Sequence, residues 1–196
     1  TCDIRSYPNE NLYFIKTKKI SIHSKLIGEH NRINIMAAIA IGAALDIPCN
    51  VIKESLEGHL KISGRLEIKR LKKDIVLIDD SYNANPSSMM RAIDVLAEYK
   101  RNKILVIGDM AELGDKEHEM HFDLIEKLSK YEIFLTGPIY NGLKDKFENN
   151  KVEFFQNEKD FPIEHLSKQL KAGKKIYFKG SRSSKMERYL KILLDD

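Results

Sequence analysis

Only two cysteines occur among the 196 residues, Cys2 and Cys49. They are far apart and neither has a neighbour at metal-ligand spacing, which excludes a disulfide scaffold and a four-cysteine zinc site and favours a reducing, cytoplasmic setting. Long apolar runs are missing as well. Stretches such as Ile104-Leu105-Val106-Ile107 fall far short of the ~20 residues needed to cross a bilayer, so no membrane association is expected. Charge of one sign does not dominate: 33 Lys and Arg are interspersed with 29 Asp and Glu. The net +4 therefore reads as a solvated surface, with no nucleic-acid footprint. Neither a Gly-x-x-x-x-Gly-Lys-Ser/Thr loop nor a Gly-x-Gly-x-x-Gly fingerprint is present, so this sequence does not cradle nucleotide phosphates alone. The start, Thr-Cys-Asp-Ile-Arg, has no initiator Met and no signal-peptide pattern, and reads as a cut or processed end. The length accommodates one ordinary domain, or one domain plus part of another.

What is present changes character near residue 62. Before it, Leu12 to Lys16 and Lys19 to Leu26 favour strands joined by a polar Lys-Thr-Lys-Lys turn, which predicts a hairpin. From Asn31 an unbroken run of Ala and long apolar residues predicts a largely buried helix ending near Asp46-Ile47-Pro48. A shorter helix is expected over Asn50 to Glu57, with Asn50 as its cap.

Beyond Ser63-Gly64, strands alternate with helices, the signature of an α/β fold with a mainly parallel sheet. The expected strands are Leu66 to Leu71, Ile75 to Ile78, Ile104 to Ile107, Ile133 to Leu135, Val152 to Phe155 and Ile176 to Phe178. The expected helices are Ser87 to Tyr99, Glu117 to Ser129, Ile163 to Lys171 and Ser184 to Leu194, with Asn141 to Asn150 as a loop or helix end. Met89, Ile93 and Leu96 give the first of these helices an apolar stripe, and Asn85 and Pro86 occupy its cap and first turn.

Three segments place unusual polar residues at element ends. In Gly28-Glu29-His30-Asn31-Arg32-Ile33-Asn34, Asn31 can simply cap a helix, but Asn34 lies one turn inside an apolar one and carries an amide suited to the edge of adenine. In Gly64-Arg65-Leu66-Glu67, Arg65 is either a solvated cation or a fork for the phosphates of a nucleotide. Asp79-Asp80-Ser81-Tyr82-Asn83-Ala84-Asn85-Pro86 is the most informative. A strand-to-helix connection needs one capping residue, and this one has two carboxylates, a Tyr and two Asn at the carboxyl edge of a sheet, where open α/β folds bind ligands. Two further strand ends resemble it, Gly108-Asp109-Met110-Ala111-Glu112-Leu113-Gly114 and Lys179-Gly180-Ser181-Arg182-Ser183-Ser184. The latter offers hydroxyls, N–H groups and cations to a carboxylate or phosphate. His118 and His121 lie three apart but lack a second ligand cluster, so a charged helix face is the better reading and no metal ligands are assigned.

In this order the segments from about residue 26 to 194 resemble the second half of the Mur ligases. Within that family, Tyr82-Asn83-Ala84-Asn85-Pro86 is similar to the form found in the dipeptide-adding branch, whereas the branches adding single amino acids carry a shorter Asp-Tyr-Ala-His-like version. Ser184 departs from the Met found in many relatives, which bears on helix packing. The resemblance implies that residues 1–62 are the tail of a central ATP-binding domain and residues 63–196 a Rossmann-like C-terminal domain. It implies an ATP- and Mg2+-dependent ligation of D-alanyl-D-alanine to UDP-N-acetylmuramoyl-tripeptide through an acyl phosphate, by a monomer. Asn34 is carried over to adenine, Arg65 to the phosphates and Asp80 to the ribose, with Asn31 and Tyr82 nearby; Arg65 and Asp80 are also the catalytic candidates. Asn83, Asn85, Lys179, Ser181 and Arg182 are the candidates for the incoming dipeptide. Because the phosphate loop and the Mg2+ ligands of the family are not among these residues, the chain alone is expected to be inactive. The alternatives are a folylpolyglutamate or cyanophycin type ligase of the same superfamily and a non-catalytic Rossmann-like binding module.

Overall fold

The structure is a computed structural model that describes residues 4–6, 12–15, 18–23, 29–58, 63–72, 75–97, 103–147 and 151–195. The expected strand beyond residue 23, Gly28, the helix end at Tyr99 and residues 148–150 lie outside the described residues, as do the side chains of Ile93 and Leu96. Two compact units form, Thr1–Lys61 and Ile62–Asp196.

In the first unit, β1 (Ile4–Ser6), β2 (Leu12–Ile15) and β3 (Lys18–Ser21) form an antiparallel sheet in that order. The hairpin is β2–β3, with Leu12 opposite Ser21, and β1 is a strand that the sequence pattern did not announce. Two helices follow, α1 (Glu29–Ala44) and α2 (Cys49–Glu57). The expectation of a largely buried α1 is corrected. Ile35 and Ile39 pack with Ile22 and Ile52, whereas Ile33, Ile41 and Leu45 are 61%, 62% and 68% exposed. The i, i+4 spacing brings one stripe of the helix into this core and turns the other apolar positions away from it. Asn50 does not cap α2. Pro48 holds the cap position, and its carbonyl accepts the N–H groups of Val51 and Ile52.

The second unit runs β4 (Glu67–Lys72), β5 (Ile75–Asp80), α3 (Pro86–Ala97), β6 (Lys103–Gly108), α4 (Glu117–Leu128), β7 (Glu132–Thr136), α5 (Pro138–Gly142), β8 (Val152–Phe155), α6 (Ile163–Lys171), β9 (Lys175–Lys179) and α7 (Glu187–Asp195). The six strands lie in the order β4-β5-β9-β6-β7-β8; β4 is antiparallel to β5 and every other neighbouring pair is parallel. This is the expected α/β architecture. The middle strands are apolar throughout because both faces are covered: Ile104, Leu105, Val106 and Ile107 are all buried. One face packs Leu77, Val106, Ile176 and Phe178 against Leu166 and Leu170 of α6 and Tyr189, Leu190 and Leu193 of α7.

Two details differ from the sequence expectation. Strand β5 continues through Asp79 and Asp80, which pair with Phe178 and Lys179, so both carboxylates are strand residues. The last helix begins at Glu187 and not at Ser184: Arg182–Ser184 form a separate 3-10 turn, and Lys185 at φ 46° is a left-handed break between the two. The stretch from Asn141 is a helix end, as expected: α5 closes at Gly142, and a 3-10 turn follows at Lys144–Lys146. No helix among the described residues is long and apolar enough to cross a membrane.

Candidate functional site

Strands β5, β9 and β6 end side by side, so their carboxyl edge gathers Asp79 and Asp80, Lys179 and Asp109. Side chains on a strand share a face at every second residue, which puts Tyr177 and Lys179 on one face of β9. Asp80 is in register with Lys179 on the neighbouring strand and joins them there. Its Oδ2 accepts the Lys179 ammonium at 2.6 Å and the Tyr177 phenol at 2.6 Å, while Oδ1 accepts the Leu66 N–H at 3.1 Å. The ammonium also donates to the Asn83 carbonyl at 3.1 Å. Lys179 is only 3% exposed. Burial pushes its ammonium below the usual range, Asp80 opposes that, and the positive charges of Arg65 and Arg91 add to it. Burial, and then the Asp80 carboxylate, push the Tyr177 phenol well above its usual range, so it remains a donor.

Arg65 arrives on a turn tied to the same edge. Gly64 has φ 73°, and a Cβ there would stand 2.9 Å from the Tyr82 nitrogen, whose N–H donates to the Gly64 carbonyl. Between this bond and the Leu66–Asp80 bond, the Arg65 guanidinium lies 4.1 Å above the ring of Tyr82, which is 44% exposed. Asp79 faces elsewhere. Its Oδ1 accepts the Ser81 hydroxyl at 2.6 Å and the Ser81 N–H at 3.2 Å, and Lys69 lies 3.4 Å from Oδ2.

The other candidates are placed as follows. Asn85 caps α3, its Oδ1 accepting the Ser88 N–H at 2.8 Å, and Asn83 accepts the N–H of Ala84. Ser181 is fully buried and its hydroxyl meets those of Ser183 and Ser184 at 2.9 and 3.0 Å. Arg182 is exposed and paired with Glu187 at 3.3 Å. In the first unit Asn34 is exposed near the start of α1, its amide nitrogen 3.4 Å from the Asn31 side-chain oxygen. Thus Arg65, Asp80, Tyr82, Asn83 and Lys179 come together in one network, while Asn31 and Asn34 belong to the other unit. Sequence reasoning missed Tyr177 and Arg91. Tyr177 was signalled only by its two-residue offset from Lys179.

Asp109 is built differently. Its two oxygens accept the N–H groups of Ile139 and Tyr140, capping α5, and its carbonyl accepts the Ser181 N–H and the Ser184 hydroxyl. Burial pushes its carboxyl above the usual range, against the pull of these N–H groups and of His121, and Glu117 adds to the rise. His121 is fully buried, accepting the Met110 N–H at Nε2 and donating from Nδ1 to the Glu117 carbonyl. Both ring nitrogens are occupied, His118 is exposed, and no group of three or more His, Cys, Asp or Glu among the described residues is arranged to hold a metal.

Fold and edge together define a Rossmann-like domain with basic side chains gathered at the carboxyl ends of its strands, the edge at which open α/β sheets bind ligands. Comparisons with known proteins give the family. The profile described as "Mur ligase, glutamate ligase domain" matches residues 64–182. The UDP-N-acetylmuramoyl-tripeptide–D-alanyl-D-alanine ligase of Buchnera aphidicola is 39% identical over 183 residues, covering 91% of this chain and 40% of that protein. The counterpart from Bacillus subtilis is 34% identical over 196 residues, 95% of this chain and 40% of that one. A crystal structure of MurF from Acinetobacter baumannii superposes with a TM-score of 0.81 at 29% identity, over 99% of this chain and 44% of that chain. The chain belongs to the Mur ligase family. It spans about 40% of the length of the curated relatives it matches.

Proposed function

We propose that this chain is part of an ADP-forming ligase that joins D-alanyl-D-alanine to UDP-N-acetylmuramoyl-tripeptide in the cytoplasm, a step of peptidoglycan precursor synthesis. The curated relatives bear that activity in their names. The observation that carries the reading on this chain is the buried Asp80–Lys179 pair with Arg65 and Arg91 beside it, an edge whose cations suit phosphate and carboxylate ligands. On this reading residues 1–62 belong to a central ATP-binding domain and residues 63–196 form the C-terminal domain.

ATP supplies the phosphoryl group that converts the tripeptide carboxylate to an acyl phosphate, which the dipeptide amine attacks with loss of phosphate. Arg65 fits the nucleotide phosphates, because a guanidinium stacked through its face keeps its in-plane N–H donors for phosphate oxygens. Asp80 fits a ribose hydroxyl, since Oδ1 holds a single protein donor and has a lone pair left. Asn34, with Asn31, takes the adenine edge. Lys179 keeps one N–H beyond its bonds to Asp80 and Asn83 for the dipeptide carboxylate, supported by Arg182, Asn83 and the amide nitrogen of Asn85. Ser181 fixes the loop beneath them. No group of three or more His, Cys, Asp or Glu among the described residues is arranged to hold magnesium, and on this reading its ligands lie mostly outside residues 1–196.

The test is phosphate release by the complete gene product that contains this chain. Release should require ATP, the UDP-linked tripeptide and D-alanyl-D-alanine together; release with a single amino acid in place of the dipeptide would overturn the substrate assignment.

A further inference from the structure

We infer that Tyr177 is a positioning residue that orients Asp80, and through it both Arg65 and Lys179; this rests on the functional reading of those three side chains given above. The Asp80 carboxylate touches both cation-bearing segments. Oδ1 holds the Leu66 N–H, which anchors the turn carrying Arg65, and Oδ2 holds the Lys179 ammonium. A carboxylate on a strand can rotate about its side-chain torsions, and rotation would break one of these bonds to strengthen the other. The Tyr177 phenol prevents that by a second 2.6 Å bond to Oδ2. The phenol and the ammonium are both supplied from inside the fold, Tyr177 being 2% exposed and Lys179 3%. The phenol donates to Asp80, while Ile176 and Phe178 on either side of it in the strand turn to the opposite face of the sheet.

The turn is sensitive to this support. Leu66 has φ 49°, a left-handed backbone that a residue with a side chain adopts only when its surroundings hold it there. Its N–H bond to Asp80 is that hold, and Arg65 is the residue immediately before it. Loss of the phenol therefore loosens the phosphate-facing cation and the carboxylate-facing cation at once, without removing either.

The experiment uses the complete gene product with Tyr177→Phe, alongside Asp80→Asn and Lys179→Met. For Tyr177→Phe, KM for ATP and KM for D-alanyl-D-alanine should rise together by about tenfold or more, the size expected for losing a hydrogen bond to a charged group. A purely structural role would reduce the active fraction, lowering kcat per total protein and leaving both KM values in place. Placing a fluorinated tyrosine at 177, a stronger phenolic donor with the same ring, keeps the test open if Tyr177→Phe does not fold; both KM values should then shift by the same factor. Unchanged KM values for the Tyr177 variants, with raised values in Asp80→Asn or Lys179→Met, would overturn the role of Tyr177 alone. Unchanged values in Asp80→Asn and Lys179→Met would overturn the reading of the site, and the role of Tyr177 with it.

Discussion

Asp80 and Asp109 close the two strands that flank β9, each after an apolar run, and as sequence they look alike. Their partners separate them. Asp109 accepts two backbone N–H groups of a helix, donors that no ligand can recruit without unwinding that helix. Asp80 accepts one backbone N–H and two side-chain donors, one of them an ammonium with a hydrogen to spare. The same residue type at the same edge is thus a cap in one place and a hub of movable donors in the other. The kind of donor, and not the position on the sheet, separates the two.

The contrast can be broken by substitution. Lys179→Met should have the largest effect, lowering kcat/KM of the complete protein by about a hundredfold or more, as expected when one partner of a buried charge pair that holds a ligand carboxylate is lost. Steady-state kinetics with saturating tripeptide measures it. Asp109→Ala should instead cost about 1–2 kcal/mol of stability, the range for a lost helix cap, with KM values unchanged. Urea unfolding gives the first quantity, and a KM shift as large as that of Lys179→Met would erase the distinction.

A smaller effect follows from pH. Burial raises the Asp109 carboxyl above its ordinary 3.8, so between the two values the folded chain binds a proton that the unfolded chain does not. The part of its stability that Asp109 gains with this proton is therefore complete below 3.8 and is lost as pH rises through the folded value, leaving the cap contribution above it. The stability difference between wild type and Asp109→Ala should widen on acidification; a difference that narrows would show that the two helix N–H groups outweigh burial. The smallest effect is assigned to Tyr82→Leu, which removes the platform under Arg65 and should raise KM for ATP about two- to fivefold, the worth of an exposed cation–π contact.

Much of the fold was legible because its signals are local. Alternation of short apolar runs with helical stripes marked every strand of the parallel sheet, and Asn85-Pro86 marked the start of α3, where the Asn85 side chain does cap the helix. Signals that depend on distant partners were not legible. Tyr177 sits in Ile-Tyr-Phe, which reads as core, and its acceptor lies 97 residues away. Helix α5 is short and capped by a carboxylate 30 residues upstream, so the sequence showed only its end near Asn141 and not its start at Pro138. Arg91 carries no motif of its own, and its charge bears on the site only through Lys179, far along the chain. The left-handed Lys185 is invisible in a serine-rich stretch that resembles a helix cap. The Ala-rich run of α1 concealed the opposite error, since its composition is apolar all round while its packing in the first unit is one-sided.

Strand β9 is the last of the sheet to be synthesised and one of the two at its centre, between β5 and β6. Until the ribosome has passed Lys179, β5 and β6 each present an open edge with no partner, and closing the gap joins residues 99 apart in the chain. Tyr177 and Lys179 travel on that closing strand. Sealing the sheet and seating the ammonium on Asp80 are one event, so a chain that stalls before it is left with an unpaired edge and no site, and a chain that completes it acquires both together.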